Sequence, residues 1–271
     1  MCQTPKNLIR NIGSPSTLWV IPSIHSDSER LKAVHDAIFQ KFSLGDRILY
    51  LGNYTGYGGQ PLETIDEILE FRRLILSYRG VTPSDIIYLR GTQEEIWHQL
   101  TQLHYARTPV ETLLWMLSSG LAPTLQAYGY SHHDAVMAAK EGMHSLIKFI
   151  GKVQMTLRAI PGYYDFVNSH HRAAYTEDGD RLPLLFVPCG IDPNQALETQ
   201  VEGLTWHADK FDDLECAYDP FEKVIRGFDP KHRGLNLNGI KATLDGGCGF
   251  GGDLICAGIQ SNGQISELME A

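Results

Sequence analysis

The chain has 271 residues, enough to bury one sizeable hydrophobic core, and we expect a single domain over residues 1–271. Its net charge of −9 disfavours nucleic acid and anionic membranes as partners, because an acidic surface repels phosphate groups. The hydrophobic share of 43% and the charged share of 20% are ordinary for a globular protein and exclude disordered and fibrous classes.

Three strand–loop–helix units are predicted in the first third of the chain. A strand over 18–24 precedes a helix that begins with a capping box at 26–29. A strand over 47–51 leads through a glycine-rich loop to a helix over 62–78, and a strand over 85–89 leads to a third helix. We expect a ligand site at the carboxyl ends of these strands.

Helical patterns dominate from about residue 108 to 160, and the longest of them, 135–158, is interrupted by Gly142 and Gly151. We interpret 108–160 as a helical insertion within the domain. Beyond residue 182, glycine and proline turns separate short predicted strands, which cover 184–187, 223–225, 242–244 and 254–259.

The cysteines and the N-terminus bear on the cell compartment. The five cysteines are scattered and form no Cys-x-x-Cys pair, so neither a disulfide framework nor a zinc site is expected. The sequence lacks a signal-peptide pattern and a long apolar run, and we expect a cytoplasmic protein that does not enter membranes.

Five short motifs follow the predicted strands and keep shape-determining glycines, prolines and apolar residues. They are Ile21-Pro-Ser-Ile-His-Ser26, Leu51-Gly-Asn-Tyr-Thr-Gly-Tyr57, Leu89-Arg-Gly-Thr-Gln-Glu94, Phe186-Val-Pro-Cys-Gly-Ile-Asp-Pro193 and Val224-Ile-Arg-Gly-Phe-Asp-Pro230. In order and spacing this set resembles the calcineurin-like metallophosphoesterases, in particular the bacterial protein Ser/Thr phosphatase and diadenosine tetraphosphatase branch. The resemblance implies an α/β fold in which helices flank a two-sheet β-sandwich.

The resemblance also implies a site with two divalent ions, and this chain departs from it. The positions that bind metal in the family are occupied here by Ser23, His25, Asn53, Thr92, Pro188 and Phe228. Only His25 keeps the family's ligand, and neither Pro188 nor Phe228 has a side-chain donor. Gln93 replaces the histidine that protonates the leaving group, and Tyr57 replaces the arginine that grips phosphate. We therefore expect no metal cofactor.

These substitutions predict a degenerate, non-catalytic phosphatase-like protein that binds a partner protein or a small phosphorylated ligand at the former active-site face. Its vestigial pocket would comprise Ser23, His25, Asn53, Tyr57, Thr92, Gln93, Pro188, Cys189 and Phe228, with His25, Asn53, Arg90 and Arg226 as candidate ligand contacts. Cys189 is a candidate nucleophile or, as we favour, a buried structural thiol. The alternative function is a phosphoprotein or nucleotide phosphoesterase that uses a divalent metal such as manganese at a single-metal or relocated site.

Overall fold

The computed structural model describes residues 8–237 and 239–271. Its strands are β1 Ile9–Gly13, β2 Leu18–Ile21, β3 Arg47–Tyr50, β4 Ile86–Leu89, β5 His170–His171, β6 Ala173–Thr176, β7 Leu182–Val187, β8 Phe221–Arg226, β9 Lys241–Thr243, β10 Ile255–Ile259 and β11 Ile265–Glu270. Its α-helices are α1 Ser28–Lys41, α2 Pro61–Leu76, α3 Thr92–Thr101, α4 Pro109–Met116, α5 Ala122–Ala127, α6 His132–Glu141, α7 Met143–Arg158, α8 Tyr163–Asn168 and α9 Ala208–Phe211.

The strands form two sheets. One has the order β11-β10-β2-β3-β4-β5, in which β2, β3, β4 and β5 run parallel to one another. The other has the order β1-β6-β7-β8-β9, in which β7, β8 and β9 are parallel. The carboxyl ends of these parallel strands are the places from which the five motifs begin.

Alternation along the strands gives each sheet two apolar faces. In the first sheet Val20 and Leu49 point into a core shared with Phe186 and Ile225 of the second sheet. The adjacent residues of the same strands, such as Trp19 and Ile48, lie on the outer face and pack with helices α1 and α2. The outer face of the second sheet is covered by α9 and neighbouring loops. The predicted two-sheet sandwich flanked by helices is confirmed.

Helices α4 to α8 lie between β4 and β5 in the chain. Together with Ile96 and Leu100 of α3 they enclose an apolar cluster of their own. Gly142, with φ of 109°, separates α6 from α7, whereas Gly151 lies inside α7 without interrupting it. No helix in the described part of the chain is long and apolar enough to span a bilayer.

Two details differ from the sequence prediction. The cap of α1 is Asp27, whose side chain accepts a hydrogen bond from the Arg30 backbone N–H at 3.1 Å, so the capping box placed at Ser26 was wrong. Ser26 instead has a left-handed backbone with φ of 66° and belongs to the preceding loop. The strands β1, β5, β6 and β11 were not predicted.

Candidate functional site

The loops that follow β2, β3 and β8 meet through their backbones. The Ser23 N–H donates to the Gly227 carbonyl at 3.2 Å, and the His25 N–H donates to the Asn53 carbonyl at 2.9 Å. His25 and Asn53 have left-handed backbones, with φ of 49° and 56°. The loops of the first, second and fifth motifs therefore lie together at the carboxyl ends of their strands, where ligand sites occur in open α/β sheets.

The side chain of Asn53 joins three of the motif loops. It is fully buried, its Nδ2 donates to Ser23 Oγ at 3.0 Å, and its Oδ1 accepts from the Gln93 backbone N–H at 3.0 Å. Both ends of the amide are therefore engaged by the protein itself. Asn53 serves here to hold the loops together.

Glu94 fixes the same loops from the other side, and sequence reasoning did not single it out. Its carboxylate accepts hydrogen bonds from the backbone N–H groups of Asn53, Tyr54 and Gly91 at 2.8, 3.0 and 2.9 Å. Burial raises the pKa of this carboxyl group, while the three donors oppose that shift. Glu94 is also the third residue of α3, where a carboxylate commonly caps the start of a helix. This position in the sequence could have indicated its structural role.

His25 lies inside a cluster of aromatic rings. Its ring centroid is 5.5 Å from that of Tyr57, 4.9 Å from Phe228 and 5.1 Å from Phe250, all in edge-to-face geometry. The side chain is fully buried, and within the described structure neither ring nitrogen makes a hydrogen bond of normal geometry. Burial, with a further contribution from nearby His232, lowers the pKa of His25 to about 3, so the ring is neutral.

Phe250 and His232 complete this cluster, and the sequence did not predict either of them. The Phe250 ring packs on Tyr57 at 4.7 Å and on His232 at 4.2 Å. The chain reaches His25 here through Gly249, which has φ of 81° and whose added Cβ would lie 2.3 Å from the His25 Cβ. The glycine-rich run at 246–252 indicated a tight turn but not which residue the turn would contact.

Thr92 and Gln93 are bonded to segments outside the five motifs. Thr92 Oγ1 donates to the Thr205 carbonyl at 2.7 Å, and Gln93 Nε2 donates to the Ser119 carbonyl at 2.8 Å. Thr205 precedes α9 and Ser119 follows α4. These two side chains therefore connect the site to its surroundings.

Pro188 and Cys189 follow β7 in the fourth motif. The Pro188 carbonyl accepts from the Gly227 N–H at 3.2 Å, which ties this loop to the fifth motif. The Cys189 thiol is buried, and burial raises its pKa to about 12. A nucleophilic cysteine needs a depressed pKa, so this environment favours a structural thiol.

The two candidate arginines have different surroundings. Arg226 is buried, pairs with Asp229 at 3.0 Å, donates to Thr243 Oγ1 at 2.9 Å and lies over the Phe211 ring. Its positive charge is thus paired with Asp229 within the protein. Arg90 makes a longer contact of 3.4 Å with Glu95 and lines a cavity beside the edge of the first sheet.

The arrangement does not fit the dinuclear metal centre of the resembled family. Across residues 8–237 and 239–271, no group of three His, Cys, Asp or Glu side chains is placed to hold a metal ion. Asn53 is hydrogen-bonded on both sides, and aromatic rings surround His25. Two adjacent divalent cations need anionic oxygens and imidazoles around them, and these loops do not present such a set.

Comparison with solved structures identifies the fold. A candidate diadenosine tetraphosphatase is 13% identical, with 97% of this chain and 98% of that chain covered and a TM-score of 0.55. A protein serine/threonine phosphatase from Saccharomyces cerevisiae, with similarity to human phosphatase PP5, is 12% identical over 98% of this chain and 82% of that one, with a TM-score of 0.52.

A mutant of a cold-active protein tyrosine phosphatase is likewise 12% identical, over 98% of this chain and 85% of that one, with a TM-score of 0.51. No family model and no curated protein matches the sequence. At these identities the similarity shows the fold alone. The chain has the fold of the calcineurin-like metallophosphoesterases, as the sequence motifs predicted.

Proposed function

We propose that this protein is a non-catalytic phosphatase-like protein that acts in the cytoplasm by binding a partner or ligand at the former active-site face. The observation that carries the proposal is the aromatic cluster around His25. The one family ligand that the sequence retains is neutral, buried and enclosed by Tyr57, Phe228 and Phe250. Aromatic rings, rather than carboxylate or imidazole donors, surround this imidazole.

Phosphoester hydrolysis would need three roles that these residues do not supply. The nucleophile would be water, whose pKa is about 15.7 in bulk and about 7 when it is bound to a suitable metal. Gln93 has no acidic proton for the leaving group, and its amide is bonded to the Ser119 carbonyl. Tyr57 provides no charge for phosphate. Each role typically lowers a reaction barrier by several kcal/mol, so their joint loss supports a non-catalytic protein.

The surface above this cluster supports binding of a protein partner. Tyr57 is 39% exposed and packs on the buried His25, and Phe250 is 42% exposed and packs on both His25 and the buried Phe228. Aromatic side chains with firm support beneath them are frequent anchors in protein–protein interfaces. The face that would hold substrate in an active relative thus presents two partly exposed rings to solvent.

The experiment is a paired measurement of metal content and hydrolysis. The purified protein is dialysed against manganese, its metal content is determined by mass spectrometry, and p-nitrophenyl phosphate hydrolysis is followed with and without EDTA. We expect little bound metal and no EDTA-sensitive rate, in the wild type and in His25→Ala alike. Near-stoichiometric manganese together with an EDTA-sensitive rate that His25→Ala abolishes would establish the phosphoesterase instead.

A further inference from the structure

A cavity of about 300 Å³ lies beside the vestigial pocket, between the edge of the first sheet and the helices α3, α7 and α8. This volume is at the lower end of the range for small-molecule sites. Tyr54 and Glu94 lie in its lining and also belong to the loops of the vestigial pocket, so the two spaces share a wall. Of the candidate ligand contacts named from the sequence, Arg90 lines this cavity.

Aromatic side chains form much of its lining. Trp97 of α3 and Tyr128, which follows α5, pack at 5.6 Å between ring centroids, and Tyr163 and Phe166 of α8 line the cavity with them. Rings of this kind give a flat ligand large contact area at a small cost in side-chain entropy. The walls therefore suit a planar aromatic group.

The cavity also contains an incompletely compensated positive charge. Arg90 is largely buried, which lowers its pKa, and its one ion pair with a described residue is the 3.4 Å contact with Glu95. That same carboxylate oxygen is held more closely by Arg172, at 2.8 Å. A buried guanidinium without a close partner favours an anion beside it.

Two further polar groups in the lining also favour an anionic ligand. Arg158, at the end of α7, adds a second cation and is exposed, so it can reach a ligand from the solvent side. His170 Nε2 is buried without a hydrogen-bond partner in the described structure, and such atoms are usually satisfied by water or a ligand. The carboxylate of Glu94, in contrast, is already engaged by backbone N–H groups.

We propose that this cavity binds a planar aromatic ligand that carries one anionic group, as a nucleoside monophosphate or an aromatic carboxylate does. The ring lies among Trp97, Tyr163 and Phe166, and the anion is held by Arg90 and Arg158. The site is separate from the aromatic cluster at His25 and does not depend on the absence of catalysis there.

Isothermal titration calorimetry with the full chain tests this proposal. The probes are AMP, adenosine, inorganic phosphate, indole-3-carboxylate and indole, which separate the ring from the charge and the phosphate from the carboxylate. We expect AMP, indole-3-carboxylate or both to bind, and the neutral partner of each binder to be about tenfold weaker or worse, because a charged hydrogen bond is lost. Binding of AMP alone would identify a phosphate ligand, and binding of indole-3-carboxylate alone would identify a carboxylate ligand.

Two substitutions on α7 give a matched comparison. Arg158→Gln removes a cation of the lining, and Lys152→Gln removes an exposed cation of the same helix outside the lining. We expect the first to weaken binding of the anionic probe about threefold to fivefold and the second to leave it unchanged. Arg90→Gln should weaken it more, provided that its thermal melt shows a folded protein.

Three results would overturn the proposal. They are the absence of measurable binding by both anionic aromatic probes, equal affinities for an anionic probe and its neutral partner, and equal losses in Arg158→Gln and Lys152→Gln. Hydrolysis and metal content are separate readouts, so failure here and failure of the proposed function are distinguishable.

Discussion

The pH dependence of stability offers a sharp test of the environment of His25. In the unfolded chain this histidine has its ordinary pKa of 6.5, and in the folded protein burial lowers that pKa to about 3. Between these values the unfolded state binds one more proton than the folded state. Stability that is present above pH 6.5 is therefore lost as the pH falls towards 3.

The magnitude follows from the two pKa values. A one-proton difference changes the free energy of unfolding by about 1.4 kcal/mol per pH unit. Lowering the pH from 7 to 5 should thus cost about 2 kcal/mol through His25 alone. A His25→Phe variant lacks this contribution and should lose about 2 kcal/mol less over the same interval. Any cost of placing Phe at a left-handed backbone position is common to both pH values and cancels from the difference.

The assay is urea unfolding followed by circular dichroism at pH 7, 6 and 5 for the wild type and His25→Phe, with EDTA present and absent. His133→Gln, at an exposed position on α6, is the matched control, and its pH curve should follow that of the wild type. Parallel pH curves for the wild type and His25→Phe would refute the reasoning. An EDTA-dependent loss of stability in the wild type alone would do so as well, because it would mean that His25 binds a metal.

Two further predictions concern buried groups near the site. Glu94→Ala leaves the backbone N–H groups of Asn53, Tyr54 and Gly91 without their acceptor and should lower the free energy of unfolding by about 3–5 kcal/mol in urea titrations. The control Glu63→Ala, at an exposed position of α2, should stay within about 0.5 kcal/mol of the wild type. Similar small effects in both variants would contradict the assigned role of Glu94. In a Cys2→Ser background at pH 8, a thiol reagent should label the exposed Cys216 rapidly and should label the buried Cys189, Cys248 and Cys256 only after unfolding. Fast labelling of Cys189 in the native protein would contradict its raised pKa.

The fold was predictable where the local pattern and the motifs agreed. The strands that precede Ser23, Asn53 and Thr92 are apolar and bounded by clear turns, so they were placed to within a few residues. The strand β5 has only two residues, and β1 pairs with β6, which lies far away in sequence. Single-chain periodicity carries little information about such long-range pairing.

At the site, the sequence gives the type of each side chain, whereas the contacts that each side chain makes depend on the assembled fold. The missing donors at Pro188 and Phe228 follow from residue identity, because no fold supplies a side-chain ligand there. That Phe250 packs on His25 depends on a turn more than two hundred residues away, and only the assembled fold shows it. Likewise, Arg226 had the residue type of a ligand contact, but its pairing with Asp229 depends on the local turn after β8.

The most direct test of the central claim is anomalous diffraction at the manganese edge from crystals equilibrated with manganese. We predict no anomalous peak between His25 and Asn53, with Tyr57, Phe228 and Phe250 packed around the imidazole and the Asn53 amide bonded to Ser23. Two peaks about 3.5–4 Å apart, with His25 as a ligand and the aromatic rings displaced, would show an assembled metallophosphatase centre and contradict the account.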